Sequence, residues 1–115
     1  MRPEKVKFML LAADMNRAVA FYRSALGFDE IFVSDFWSEL CIGDAIVALH
    51  GGHDGSVNPT GLSLQFADVF EAAARITAVG GKILDAPVQR EGEPILLGRY
   101  RDPEGNEGFI TQYVG

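Results

Sequence analysis

Hydrophobic and polar positions follow one plan twice along the chain. The apolar run Val6–Ala12 has the length of a buried strand. Asp14 follows it as a good helix N-cap, and apolar residues then recur at the three-and-four spacing of one helical face. Gly27 ends this segment, because glycine readily adopts the left-handed conformation that stops a helix. The pattern predicts a strand followed by a helix.

The second copy of the plan begins with the alternating stretch Gly61–Phe66, which is typical of a strand. Asp68 is the next predicted N-cap, and Glu71 three residues later completes a capping-box pattern. An apolar stripe then continues to Gly81. Asp68 and Gly81 each lie 54 residues after their counterparts in the first copy. A period this long that occurs only twice indicates two copies of one module rather than a solenoid.

Each predicted helix is followed by three further predicted strands. We therefore expect an α+β fold of two βαβββ modules, whose curled mixed sheets surround a concave cleft with the helices on the outer face. Residues 1–115 form a single domain, with module one at about 5–50, a linker at 51–59 and module two at about 60–115. The predicted strands are Phe28–Val33, Phe36–Ile42 and Ala45–Leu49 in module one and Lys82–Asp85, Ile95–Arg101 and Gly108–Tyr113 in module two, with a polar loop at Ala86–Pro94.

Composition narrows the class of function. The net charge of −6 argues against binding to nucleic acid or to an anionic membrane, because both need a basic surface. Cys41 is the only cysteine, which excludes an internal disulfide and favours a reducing, cytoplasmic location. We expect its thiol to lie in the core. No signal peptide is expected, because Met1–Lys5 is polar and charged and Asp14 interrupts the apolar run behind it. No membrane span is expected, because no apolar run approaches about 20 residues.

Three motifs carry a resemblance to a known family: Asp14–Tyr22 (DMNRAVAFY), Leu26–Phe28 (LGF) and Asp102–Asn106 (DPEGN). On the strength of these motifs and the repeat, the chain resembles the vicinal oxygen chelate superfamily over essentially its whole length. That superfamily includes glyoxalase I, extradiol dioxygenases, fosfomycin-resistance enzymes and bleomycin-resistance proteins. The resemblance implies a cleft in which His, Glu or Gln side chains from the first and last strands of each module hold a divalent metal.

The positions that match these ligands carry other residues here. Counting from the shared motifs, the resemblance assigns them to Lys7, Gly61 and Phe109. A fourth lies on the strand Ala45–Leu49, which has no His or carboxylate unless His50 at its end serves. An ammonium group, a glycine and a phenyl ring cannot coordinate a cation. We therefore predict no metal, no other cofactor and no catalytic residue.

Alternation along strands indicates what the cleft offers instead. Residues two apart share a face, so Met9 lies beside Lys7, and Gln65 lies on the face of Gly61. Aromatic side chains could stack on a planar guest, and a carboxylate could anchor its charge. The candidate ligand-binding residues are Lys7, Met9, Phe36, Trp37, Glu39, Gln65, Tyr100 and Phe109.

Within this superfamily, the chain resembles the bleomycin-resistance branch most closely in character. It implies a metal-free homodimer that sequesters an aromatic, often cationic, drug or metabolite in a dimer cleft without changing it chemically. One alternative is a metal-dependent glyoxalase-like isomerase, lyase or dioxygenase with ligands in another strand register. Another is an interaction module whose cleft is filled by its own side chains. His50 and His53 could in principle bind zinc, but their glycine-rich surroundings favour an exposed linker.

Overall fold

The computed structural model describes all residues, 1–115, and confirms the duplicated βαβββ order. Each module has four strands and one ten-residue helix. Neither helix is long and apolar enough to cross a membrane. The elements are β1 Lys7–Leu11, α1 Met15–Ser24, β2 Asp29–Phe32, β3 Trp37–Ile42, β4 Ala45–His50, β5 Asn58–Gln65, α2 Val69–Ala78, β6 Lys82–Gln89, β7 Ile95–Arg101 and β8 Asn106–Tyr113.

Both helices begin at the predicted aspartates. The Asp14 side chain accepts a hydrogen bond from the backbone N–H of Arg17, and Asp68 accepts from those of Phe70 and Glu71. These bonds satisfy N–H groups that have no partner inside the helix. Only half of the predicted capping box forms. The Asp68 side chain accepts from the Glu71 backbone N–H, but the Glu71 carboxylate makes no bond back to the Asp68 backbone.

Two predicted boundaries in module two were wrong. The first part of the segment predicted as the loop Ala86–Pro94 belongs to β6, which continues to Gln89. Two register shifts keep β6 paired with β7, and an edge strand tolerates Pro87 because it has a neighbour on one side only. Strand β5 also starts earlier than predicted, at Asn58 inside the expected linker.

The strands form two four-stranded mixed sheets, ordered β1-β4-β3-β2 and β5-β8-β7-β6. The first strand of each sheet pairs in parallel with the last strand of its module, and the remaining pairs are antiparallel. One helix covers one face of each sheet, and the molecule is only 21 Å thick along its shortest axis. One core of 18 residues runs through both modules, so they pack as a single unit. We call the two uncovered sheet faces open face one and open face two.

The turn between β7 and β8 joins module two to module one through the side chains of Asp102, Glu104 and Asn106, which we call the clasp. The sequence predicted this segment only as a tight turn. All three side chains are buried, and each bonds to a residue of module one. In particular, the Asn106 carboxamide accepts from the Leu11 N–H at 3.0 Å and donates to the Leu11 carbonyl at 2.7 Å. It therefore pairs with strand β1 as a neighbouring strand would.

The two acidic members of the clasp hold helix α1. The Glu104 carboxylate accepts from the backbone N–H groups of Ala13 and Asp14 at 3.0 and 2.8 Å and from Arg17 Nε at 2.7 Å. Asp102 accepts from the Tyr22 hydroxyl at 2.7 Å. Burial raises the pKa of Asp102, while the bonds from Tyr22 and its neighbours oppose that rise. The clasp thus provides acceptors for backbone N–H groups just before α1.

Candidate functional site

Open face one brings together several of the predicted site residues. Lys7 and Met9 project from β1, and Trp37 and Glu39 project from β3. Both strands pair with β4, where Ala48 lies opposite Met9 on one side and opposite Glu39 on the other. The predicted alternation of faces is therefore correct for these strands.

A carboxylate occupies the centre of this group. Glu39 Oε2 accepts from Lys7 Nζ at 2.9 Å and from Trp37 Nε1 at 2.8 Å. The hydrogen bond from Trp37 and then the Lys7 ammonium lower the pKa of Glu39 below its ordinary value. The result is an ionised carboxylate with one oxygen, Oε1, that has no hydrogen-bond donor from the protein.

A pair of histidines lies next to Trp37 at one end of open face one. His50 lies opposite Trp37, and their rings meet edge to face with centroids 6.1 Å apart. His50 Nδ1 lies 2.7 Å from His53 Nε2, so the two imidazoles share a hydrogen bond. His53 is held in place by its backbone N–H, which donates to the Ala12 carbonyl. The linker is thus ordered against module one at this point.

Open face two presents Phe109 between charged pairs. Phe109 lies opposite Ser63 of β5 and Arg99 of β7. Arg99 pairs with Asp85, and Arg101 Nη2 lies 2.7 Å from Glu107 Oε2. These pairs leave the Phe109 ring as the central flat apolar group. Gln65 lies at the free edge of the same sheet, opposite Thr111.

Two predicted placements need correction, and one predicted residue lies outside both faces. Tyr100 is only 1% exposed and lies in the core, because its strand position faces the helix layer and its hydroxyl bonds to that of Tyr22. It cannot stack on a guest in the cleft. Cys41 is half-exposed on open face one rather than in the core, since it lies opposite Ile46. Phe36 is 79% exposed in the turn before β3.

The paired modules and the uncovered faces define a class of small two-module α+β proteins. The family model for the Glyoxalase/Bleomycin resistance protein/Dioxygenase superfamily matches residues 6–107, and the chain belongs to this family. No curated protein sequence matches the chain significantly. The family assignment agrees with the fold but does not select one activity, because the superfamily name itself spans enzymes and resistance proteins.

Solved structures of low sequence identity share the fold. An antibiotic-binding protein from Streptomyces sp. CB03234, TnmS3, has 23% identity and a TM-score of 0.76, with 97% of each chain covered. The fosfomycin resistance protein FosX from Listeria monocytogenes has 17% identity and a TM-score of 0.77, covering 97% of this chain and 94% of its own. A family enzyme from Burkholderia phytofirmans PsJN has 18% identity and a TM-score of 0.78, covering 93% and 96%.

The residues present do not fit the divalent metal that the superfamily resemblance implies. Lys7 is engaged with Glu39, and neither Gly61 nor Phe109 has a donor atom. The fourth position is Ala48, because it pairs with β1 as Phe109 pairs with β5. Nowhere in the chain do three or more His, Cys, Asp or Glu side chains form a group that could hold a metal ion.

Sequence reasoning missed two parts of this arrangement. It placed Glu39 near the cleft but not between Lys7 and Trp37, since that contact depends on the pairing of β1 and β3 with the same strand. It also treated His50 and His53 as exposed linker residues. The alternation of β4, which points His50 to open face one, was the available signal.

Proposed function

We propose that this protein binds a small aromatic molecule without a metal and without changing it chemically. The observation that carries the proposal is the Lys7–Glu39 ion pair, which occupies a position where the superfamily resemblance implies a metal ligand. A lysine bound to a carboxylate neutralises charge locally but supplies no Lewis acid. Binding and sequestration are then the functions left to the open faces.

The residues on the open faces suit a flat guest with a polar or cationic edge. Trp37 and Phe109 offer ring surfaces, and each aromatic contact contributes about 0.5 to 1.5 kcal/mol beyond the area it buries. The free oxygen of Glu39 can accept a hydrogen bond from the guest. The net charge of −6 favours a cation over an anion at long range. A solved protein of the same fold is described as antibiotic-binding, which supports a small-molecule ligand.

We also propose that the working form is a homodimer. Large apolar side chains remain exposed on or beside both open faces, including Met9 at 52%, Phe36, Val88 and Tyr113. Exposed apolar groups of this size favour a protein partner, and a second copy is the simplest one because two-fold dimers dominate soluble oligomers. Apposed open faces would then enclose the guest. The unpaired Cys41 thiol is compatible with work in the cytoplasm.

Equilibrium dialysis against planar cationic antibiotics, with bleomycin as the first probe, tests the proposal. We expect binding tighter than millimolar, recovery of unchanged probe by mass spectrometry, and weakening of about 2- to 12-fold in Trp37→Ala and Phe109→Ala. The matched control is Phe70→Ala, since Phe70 is an exposed aromatic on α2 away from both open faces. Absence of binding across the panel, with no thermal shift, would instead favour an interaction module.

Oligomeric state is tested separately by sedimentation velocity. We expect a dimer for the parent protein and a monomer for the double variant Met9→Asp/Val88→Asp, which places charges on both open faces. The control is Phe70→Asp, on the helix layer, which should stay dimeric. A monomeric parent at all concentrations would remove the dimer from the proposal and leave ligand binding to be judged by dialysis.

A metal-dependent alternative would have to draw on His50 and His53, the two histidines of the chain, and would have to break the hydrogen bond between their rings. Elemental analysis of untreated protein decides between the two functions. We expect less than one-tenth equivalent of zinc, nickel, manganese or iron per chain. A stoichiometric metal that is lost in His50→Asn/His53→Asn would establish the alternative and contradict the proposed function.

A further inference from the structure

A cavity of about 700 Å³ lies at the seam between the modules, away from both histidines and the Lys7–Glu39 pair. We call it the seam groove. Twelve of its fifteen lining residues are hydrophobic. Phe8 and Ala45 line it from module one, and Leu62, Gln65 and Ala67 line it from module two. Its volume and apolar walls fall within the range of small-molecule sites.

The duplication of the fold explains why the groove exists. The clasp side chains come from the β7–β8 turn, and Asn106 among them packs against the end of β1 at Leu11. The counterpart of that turn in module one is the β3–β4 turn at Gly43-Asp44, and the counterpart of Leu11, 54 residues later, is Gln65. Asp44 and Gln65 both line the groove. The β3–β4 turn has only two residues, so it cannot fill the space as the clasp does.

The backbone N–H and C=O groups of Gln65 point away from their own sheet, as those of Leu11 do. The Ala12 N–H donates to the His50 carbonyl inside sheet one, and the Phe66 N–H donates to the Thr111 carbonyl inside sheet two. The peptide groups of the preceding residue point the opposite way, since they alternate along a strand. At Leu11 those groups are held by the Asn106 carboxamide. At Gln65, on an edge strand, they are directed toward the groove and have no strand partner.

Charge around the groove selects among ligands that could pair with Gln65. Glu104 of the clasp is stabilised in module one by Arg17, whose counterpart in module two is Glu71. Asp44 lines the groove, and Asp68 and Glu71 line the adjoining depression that shares Phe66 and Ala67 with it. These three carboxylates outnumber the one guanidinium that lines the same depression, Arg75, and therefore disfavour an anion. A cation cannot accept a hydrogen bond from the Gln65 N–H, so an uncharged group that both donates and accepts is the better partner. The chain itself uses a primary carboxamide for this purpose at Leu11.

We propose that the seam groove is a second ligand site, which takes a small apolar molecule bearing an uncharged primary carboxamide. The apolar body lies against Phe8 and Leu62, and the carboxamide pairs with the peptide groups of Gln65 as Asn106 pairs with those of Leu11. This site does not depend on the function proposed for the open faces, because none of Lys7, Trp37, Glu39 and Phe109 lines the groove.

The test is a titration of the ¹⁵N-labelled full chain with 2-naphthaleneacetamide, followed by NMR. We expect saturable shifts of the backbone amides at Gln65 and Ala67, and affinity about tenfold higher for the amide than for 2-naphthaleneacetate. Ala45→Trp, which fills the groove, should weaken amide binding by about tenfold or more. Ala74→Trp is the matched control, on an exposed position of α2 outside the groove, and should bind as the parent does.

Four results would overturn the proposal. They are equal or tighter binding of the carboxylate, no shift at Gln65 and Ala67 at millimolar amide, binding unchanged in Ala45→Trp, and shifts at these residues that depend on protein concentration alone. The last would mean that a second copy fills the groove. The spectrum of each variant without ligand shows that it is folded, so lost binding is not mistaken for unfolding.

Discussion

At the scale of single residues, Glu39 decides the character of open face one. One of its carboxylate oxygens accepts hydrogen bonds from both Trp37 and Lys7, and these donors favour the ionised form of Glu39. Without the carboxylate, Lys7 would present an unpaired ammonium to any guest and the Trp37 N–H would lose its acceptor. The electrostatics that distinguish this face from a metal site therefore depend on one side chain.

The pH dependence of this contact can be measured through Trp37, the only tryptophan in the chain. Because the pKa of Glu39 is lowered in the folded state, the contact is fully present above the ordinary value of 4.5 and is lost as pH falls through the lowered value. We expect a fluorescence titration with a midpoint below 4.5 that is absent in Glu39→Gln. A midpoint at or above 4.5 would contradict the assigned shift.

At the scale of elements, the start of helix α2 depends on Asp68 rather than on the predicted capping box. Asp68→Ala removes the acceptor of two backbone N–H groups, and we expect the free energy of unfolding to fall by about 0.5 to 2 kcal/mol. Glu71→Ala is the matched comparison and should change it by less than about 0.5 kcal/mol. Urea unfolding measures both, and equal losses would mean that the box forms in solution.

The end of α2 is packed closely against module one. A methyl group at Gly81 would lie 2.6 Å from Ile76 Cγ2 and 2.9 Å from a ring carbon of Phe21. We expect Gly81→Ala to lower the free energy of unfolding by about 1 to 3 kcal/mol through overpacking. Gly61→Ala is the control, because its methyl group meets nothing within 4 Å and its backbone is not left-handed. Equal effects on thermal stability would show that this packing is looser than described.

At the scale of the whole molecule, the clasp and the shared core make two modules into one cooperative unit. Asn106→Asp removes the donor to the Leu11 carbonyl and places a second carboxylate beside Asp102. We expect the free energy of unfolding to fall by at least about 2 kcal/mol, against about 1 kcal/mol for Asn58→Ala, which removes a single bond to the clasp.

Cooperativity gives a second measurement on the same protein. Trp37 reports on module one, and circular dichroism reports on both modules. In the parent protein the two unfolding curves should coincide, because one core of 18 residues includes side chains from both modules. A fluorescence transition that precedes the circular dichroism transition would show that module one unfolds independently.

The order of elements could be predicted from the sequence because it depends on local signals. Asp14 and Asp68 cap helices through bonds to residues at most three positions away, and hydrophobic alternation fixed which strand residues share a face. The 54-residue repeat then implied two modules. Strand β6 was cut short because its continuation through Pro87 depends on pairing with β7, which local composition does not encode.

By itself, the sequence determined the duplicated α+β plan and the residue types at Lys7, Gly61 and Phe109, where an ammonium group, a glycine and a phenyl ring offer no metal ligand. Only the tertiary structure decided that Lys7 meets Glu39, that Tyr100 is buried and that the DPEGN turn fastens the modules together. Clasp contacts join residues up to 95 positions apart. Helix caps and strand faces follow from neighbours along the chain, whereas these contacts exist only once distant segments pack, so no local pattern can specify them.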